Sequence, residues 1–285
     1  MTRNLRVMVV AAEMDPFTAD GPAAGNKGPA QTAGRIAEHI AGLGTRVSII
    51  MPRYRRPQID ALPLENILPE LWVPLGRDKV KASVFRAPRG NGEIFFIDNP
   101  KYFLRDRIFG TGPGDYLDND ERFAFFSRAA VEVLLKTRQT VDVIHCHSWP
   151  AALVPLFLRT HYAGKALFRG MVSVLSIHDP TDQGRFPAES LAFTGLNWDY
   201  FTPDQLALNG KFNFLKAGML FADALAGAGE IGDEPGLAEV LAQRRGDYVK
   251  IPAGVDSAGW ADAARQYLRL FQTELEEKKG GRHGR

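Results

Sequence analysis

Two short clusters carry imidazole and carboxylate groups at spacings that suit chemistry: His145-Cys146-His147 and His178-Asp179. Each follows an apolar, β-branched run, Val141 to Ile144 and Gly170 to Ile177. Both clusters are therefore expected at the C-terminal ends of buried strands, the edge where open α/β sheets hold ligands. Three imidazoles and a carboxylate invite a metal, but metal ligands need oriented partners of their own. We read no metal site and no cofactor. Cys146, the single cysteine, reads as a small buried hydrophobe rather than a nucleophile. His178 reads as a hydrogen-bonding group for a ligand hydroxyl, with simple capping of the strand end as the alternative. A third candidate is the loop Gly21 to Gly28, between a strand and a helix, where backbone N–H groups, the helix dipole and Lys27 can hold an anion. It has neither a Walker A spacing nor a Gly-x-Gly-x-x-Gly pattern, so a plain connection with a solvated lysine stays open. Asp142 and Asp223 read as loop-closing or capping groups.

The elements that position these residues alternate. Leu5 to Ala12 is a buried-strand run. Ile36, Ile40 and Leu43 then recur at helical spacing, and Arg46 to Met51 is a second strand stopped by Pro52. Such a unit takes a right-handed crossover. Lys79 to Arg86 and Glu93 to Asp98 read as a hairpin or two adjacent strands. Asp118 to Lys136 is a helix with Asp118 and Asn119 placed to cap it and Phe123, Phe125 and Phe126 in the core. Val141 to His145 and Gly170 to Ile177 are strands joined by a helix over Ala151 to Thr160. Lys211 to Phe221 is a helix, Asp247 to Ile251 a late strand, and one amphipathic helix follows Trp260. The expected fold is a Rossmann-like three-layer α/β domain over residues 5–260, with a mostly parallel central sheet, then a C-terminal helix and basic polar tail over 261–285.

Composition narrows the class. With 45% hydrophobic and 24% charged residues among 285, the chain matches ordinary soluble proteins and not disordered ones. The net charge is +2 and the excess lies in the last eight residues, so nothing calls for nucleic acid. The N-terminus lacks a signal-peptide pattern, and no apolar run reaches membrane-span length. A soluble, cytoplasmic protein is expected.

Read together, several segments resemble one family, the bacterial glycogen synthases and plant starch synthases. These are retaining glucosyltransferases of the two-domain GT-B fold that use ADP-glucose or UDP-glucose. The segments are Ala11 to Phe17, Met51 to Tyr54, Tyr116 to Phe126, His145 to Trp149, Ile177 to Asp179 with Gln183 to Pro187, Gly210 to Gly218, and Gly254 to Asp256 with Trp260. The resemblance implies the N-terminal half of that fold. It implies His178 as the catalytic candidate, contacting the donor sugar. The ligand-binding candidates are Lys27, Gly28, His147, Ser148, Gln183, Asn213 and Lys216. Three departures stand out. The family's Lys-Thr-Gly-Gly-Leu loop is here longer, with a displaced Lys27. Ser148 replaces the Asp of His-Asp-Trp. His178 to Gly184 keeps the histidine of the family's His-Asn-Leu-Ala-Tyr-Gln-Gly but loses its aromatic residue. The family's second half supplies the Arg and Lys that neutralise the diphosphate, and the chain is read as stopping before it. Preorganised cations of this kind commonly do most to stabilise the charge that develops during transfer.

Three functions follow as expectations. The first is a noncatalytic glucan-binding, regulatory or assembly protein of glycogen metabolism. The second is a glucosyltransferase completed by a separate chain, and the third a small-molecule binder reusing the scaffold. The expected partners are an α-glucan or nucleotide sugar, and a partner protein or second copy at the open cleft face. Neither nucleic acid nor membrane is expected.

Overall fold

The computed structural model describes residues 5–18, 28–111, 114–229, 231, 236–244 and 248–281. Along the chain run β1 (Arg6–Val10), α1 (Pro29–Gly42), β2 (Arg46–Pro52), α2 (Pro57–Asp60), β3 (Glu65–Leu75), β4 (Asp78–Arg89), β5 (Gly92–Asp98) and α3 (Pro100–Phe103). Then come β6 (Gly110–Thr111), β7 (Gly114–Asp115), α4 (Asn119–Thr137), β8 (Val143–His147), α5 (Leu153–Arg159), β9 (Val172–Ile177) and β10 (Arg185–Phe186). The chain closes with β11 (Ala207–Leu208), β12 (Lys211–Asn213), α6 (Phe214–Phe221), β13 (Ala224–Gly227), α7 (Leu237–Gln243), β14 (Tyr248–Lys250) and α8 (Ser257–Lys279).

Among the described residues, nine strands form the central sheet in the order β14-β13-β9-β8-β1-β2-β5-β4-β3. From β14 through β5 every pairing is parallel, while β5, β4 and β3 pair antiparallel. The chain steps one way from β1 to β2 and the other way from β8 to β9, so right-handed crossovers place α1 and α5 on opposite faces. Helix α8 packs on α1 and β9, and α5 lies between α4 and α6. This is the expected three-layer α/β domain. Val7 to Val10 and Val172 to Ile177 are buried throughout, as strands covered on both faces must be. Phe123, Phe125 and Phe126 are fully buried in the core.

Several expected boundaries move. β8 runs to His147, so His145 lies inside the strand instead of at its edge. Lys211 to Asn213 form strand β12, paired with β10 and β11, and the helix begins only at Phe214. The segment before α5 is a tight 3-10 turn, Trp149–Ala151. Asp118 stands at the N-cap of α4, but its carboxylate takes Arg105 at 2.8 and 2.5 Å instead of capping. β4 and β5 do form the hairpin, and β3, unforeseen from the sequence, extends it to the sheet edge.

Helix α8 does not cross the strand-end cleft. It starts near the C-terminal strand edge, where Trp260 packs on Gly254, and runs along the sheet face to the opposite edge. There the Lys278 ammonium donates to the Met171 carbonyl and to Asp223. Asp142 and Asp223 both serve as closers of strand starts. Asp142 accepts from the Arg6 backbone and guanidinium, and Asp223 from the Ser173 N–H and hydroxyl.

Candidate functional site

The ends of β1, β8 and β9 meet at a narrow pocket of about 20 Å³, open to solvent. Its walls include Ala11, Ala12, Glu13, Pro29, Phe109, His147, Ser148, Trp149, Pro150, Asp179 and Asp182. An adjoining, wider hollow of about 210 Å³ shares Trp149 and Asp182 and adds Asp115, Asn119 and Thr181 to Phe186. Gly184 lets the two meet. Its φ is +61°, and a Cβ there would stand 2.5 Å from the Trp149 ring, so only glycine fits.

Beneath the pocket lies a chain of polar groups. The Tyr267 hydroxyl of α8 bonds the Ser176 hydroxyl at 2.8 Å, which bonds His145 Nε2 at 2.7 Å. Side chains two apart in a strand share a face, so the His145 and His147 rings lie 4.2 Å apart, centre to centre. His147 Nδ1 and His178 Nε2 share a hydrogen bond of 2.8 Å, with the rings stacked. Burial, reinforced by the other imidazoles, holds His145 down to about 3 and His147 well below the ordinary range. Burial also brings His178 down to about 4. All three are neutral at neutral pH. His147 Nε2 and the Ser148 hydroxyl are buried without a hydrogen-bond partner among the described residues. Cys146 is buried in the strand and its thiol is pushed up by desolvation, so it is no nucleophile.

Ser148 holds a rare backbone geometry, φ +58° and ψ −177°, a region that costs a non-glycine residue about 1–3 kcal/mol. Its N–H donates to the Ser176 carbonyl at 2.9 Å, which helps hold the turn there. Ser148→Gly is expected to raise stability by about 1 kcal/mol in urea unfolding; a loss of stability would show that the hydroxyl outweighs the strain.

The remaining candidates separate. Gly28 caps α1 with its carbonyl, accepting from the Thr32 N–H at 3.0 Å, and its neighbour Pro29 reaches the pocket. Lys27, with most of its loop, lies outside the described residues. Gln183 lines the second hollow, but its carbonyl oxygen accepts from Asn213 at 2.7 Å and from Arg185 at 3.1 Å. Asn213 is the N-cap of α6. Lys216 is absent from both sets of walls: its ammonium is buried on the carbonyls of Pro203 and Ala207. The structure gives Lys216 to loop closure, the alternative to a ligand contact. Glu13 was not among the expected site residues, yet it stands in the pocket wall. Burial, with help from Asp182 and Asp15, pushes its carboxyl up to about 7. Burial also raises Asp182, and the Trp149 indole N–H is a third wall group buried without a hydrogen-bond partner among the described residues. No group of three or more metal-ligating side chains occurs among the described residues, and no described helix is long and apolar enough to cross a membrane.

Strands ending at one cleft edge of a Rossmann-like sheet define an open α/β domain with its ligand edge there, and comparison with known proteins narrows the class. The catalytic domain of Starch Synthase IV from Arabidopsis thaliana, solved with ADP and acarbose, superposes with a TM-score of 0.77 at 24% identity, over 90% of this chain and 53% of that one. The starch synthase catalytic domain matches residues 6–228, and the chain belongs to that family. Glycogen synthase 2 of Geobacter sulfurreducens is 33% identical over 276 residues, covering 94% of this chain and 55% of the relative. The glycogen synthase of Koribacter versatilis is 34% identical, over 93% of this chain and 54% of its own. The chain thus spans about half the length of the curated relatives it matches.

Proposed function

We propose that this chain binds an α-glucan at the strand-end pocket and does not by itself transfer glucose. The observation that carries the reading is the chemistry of the wall. Carboxylates, a buried imidazole and a serine hydroxyl suit sugar hydroxyls, and Trp149 and Phe109 offer aromatic surface, while none of the described wall residues is a lysine or arginine. A nucleotide-sugar donor brings a diphosphate whose charge must be neutralised as it leaves. Within this reading His147 and Ser148 face the sugar, His178, which lies in neither wall, orients His147 through their hydrogen bond, and Asn213 and Gln183 hold the loop that shapes the second hollow.

A second reading draws on the family match: a glucosyltransferase whose cleft face is completed by a nucleotide-binding half on a separate chain. Thermal-shift titration separates the ligands. A maltooligosaccharide at 100 times its Kd is expected to add about 2.7 kcal/mol, with smaller shifts from ADP-glucose and UDP-glucose. A larger shift from either nucleotide sugar than from any glucan would overturn the proposal.

A further inference from the structure

Polar groups inside a core cost free energy unless they are paired, and where α8 packs on the sheet the fold holds a row of them. Tyr267, Ser176 and His145 are 2%, 0% and 0% exposed. Around them the buried face of α8 is mostly apolar, with Ala263, Ala264, Leu270, Phe271 and Leu275, and its two ends are fixed by Trp260 and Lys278. Apolar groups of the same shape would hold the helix about as well. The packing of α8 therefore does not explain the row.

The row leads to the pocket. The Ser176 hydroxyl stands between the Tyr267 hydroxyl at 2.8 Å and His145 Nε2 at 2.7 Å. A serine hydroxyl has one proton, so with a partner on each side it donates to one and accepts from the other. The two bonds thus set each other's direction, whichever tautomer His145 holds. His145 Nδ1 has no partner among the described residues, so Ser176 supplies the hydrogen bond that orients the ring, with the Tyr267 and Phe271 rings beside it at 4.9 and 5.3 Å. The last torsion of a histidine is otherwise broad. On its other side, 4.2 Å away centre to centre, lies His147, which stands in the pocket wall and is bonded to His178. Rings packed this closely do not turn independently.

We propose that Tyr267 is a positioning residue for the strand-end pocket: through Ser176 and His145 it fixes the ring plane of His147 in the wall. This rests on the carbohydrate reading above and adds the residue of α8 on which that site's geometry depends. The test uses the full chain at pH 7 with Tyr267→Phe, which keeps the ring and removes the hydroxyl. Two quantities are read: the imidazole nitrogen resonances by NMR, and the Kd of a maltooligosaccharide by calorimetry. The His147 resonances are expected to move along with those of His145, and the glucan to bind about three- to tenfold more weakly. Ser176→Ala breaks the same route and provides both readouts if the first variant fails to fold. Leu275→Ala, about two turns further along α8, loosens the helix away from the route and should leave the His147 resonances in place. Unmoved His147 resonances in Tyr267→Phe, or an equal movement in Leu275→Ala, overturn the route. An unchanged Kd in Tyr267→Phe overturns the assignment to the pocket and leaves the carbohydrate reading standing. If the wild type binds no maltooligosaccharide, that reading falls, and the resonances alone decide whether Tyr267 orients the wall.

Discussion

Asp223→Ala is expected to cost about 3–5 kcal/mol of stability, the usual loss when one member of a buried charge cluster is removed. The Asp223 carboxylate is buried at the start of β13, where it accepts from the Ser173 N–H at 2.7 Å and the Ser173 hydroxyl at 2.8 Å. It also meets Arg159 at 2.5 Å and Lys278 at 3.1 Å. Burial alone would raise its pKa, but Lys278, Arg159 and the Ser173 bonds together hold it below the ordinary carboxylate value. Four elements, α5, β9, β13 and α8, are joined at this one side chain. Its loss leaves the Ser173 N–H without that acceptor and the half-buried Lys278 ammonium without its counter-charge. Asp223→Asn, which keeps a hydrogen-bond acceptor and removes the charge, should cost less. Urea unfolding at pH 7 gives the measurement, and a loss under 1 kcal/mol for the alanine variant would show that α8 is held by its apolar face alone.

Acid should also destabilise the protein well above the carboxylate range. His145, His147 and His178 are neutral in the native state, with pKa values driven below 6.5 chiefly by burial. In the unfolded chain each returns to about 6.5. Below that pH the unfolded state binds protons that the native state refuses, so stability falls as pH falls, by up to about 1.4 kcal/mol per pH unit for each fully buried ring. Glu13 acts in the opposite sense: at about 7 in the native state, it holds a proton that the unfolded chain releases above pH 4.5, so acidification through that window stabilises the fold. The histidines outnumber it. A net loss of about 1–3 kcal/mol is expected between pH 6.5 and 5.5, again by urea unfolding. His145→Gln should flatten the slope, and an unchanged stability across that interval would contradict the assignment of three neutral rings, His145 and His147 buried and His178 partly exposed.

The central sheet is legible in the sequence because its strands are continuous β-branched runs and its helices carry apolar residues at 3.6-residue spacing. β3 is not, since Pro69 and Pro74 interrupt its pattern and register shifts break its pairing with β4. The false helix start at Lys211 has a local cause too: Asn213 is the cap, so the residues before it are free to pair as strand β12. At the site, the motif order brings His147, Ser148 and His178 to one cleft. It cannot show that Lys216 finds its acceptors in a loop 9 and 13 residues upstream. Glu13 does carry a signal in the sequence: it is the first carboxylate after the apolar run of β1, where the end of a parallel strand opens toward a ligand edge.

A pocket that binds sugar without transferring it is tested most directly by incubating the homogeneous chain with radiolabelled ADP-glucose or UDP-glucose and a maltooligosaccharide, with glucan binding measured on the same sample. Saturable binding of the maltooligosaccharide is expected, weakened by His178→Ala, with no label in the glucan. Incorporation of glucose by the chain alone, abolished by His178→Ala, would contradict this reading of the site.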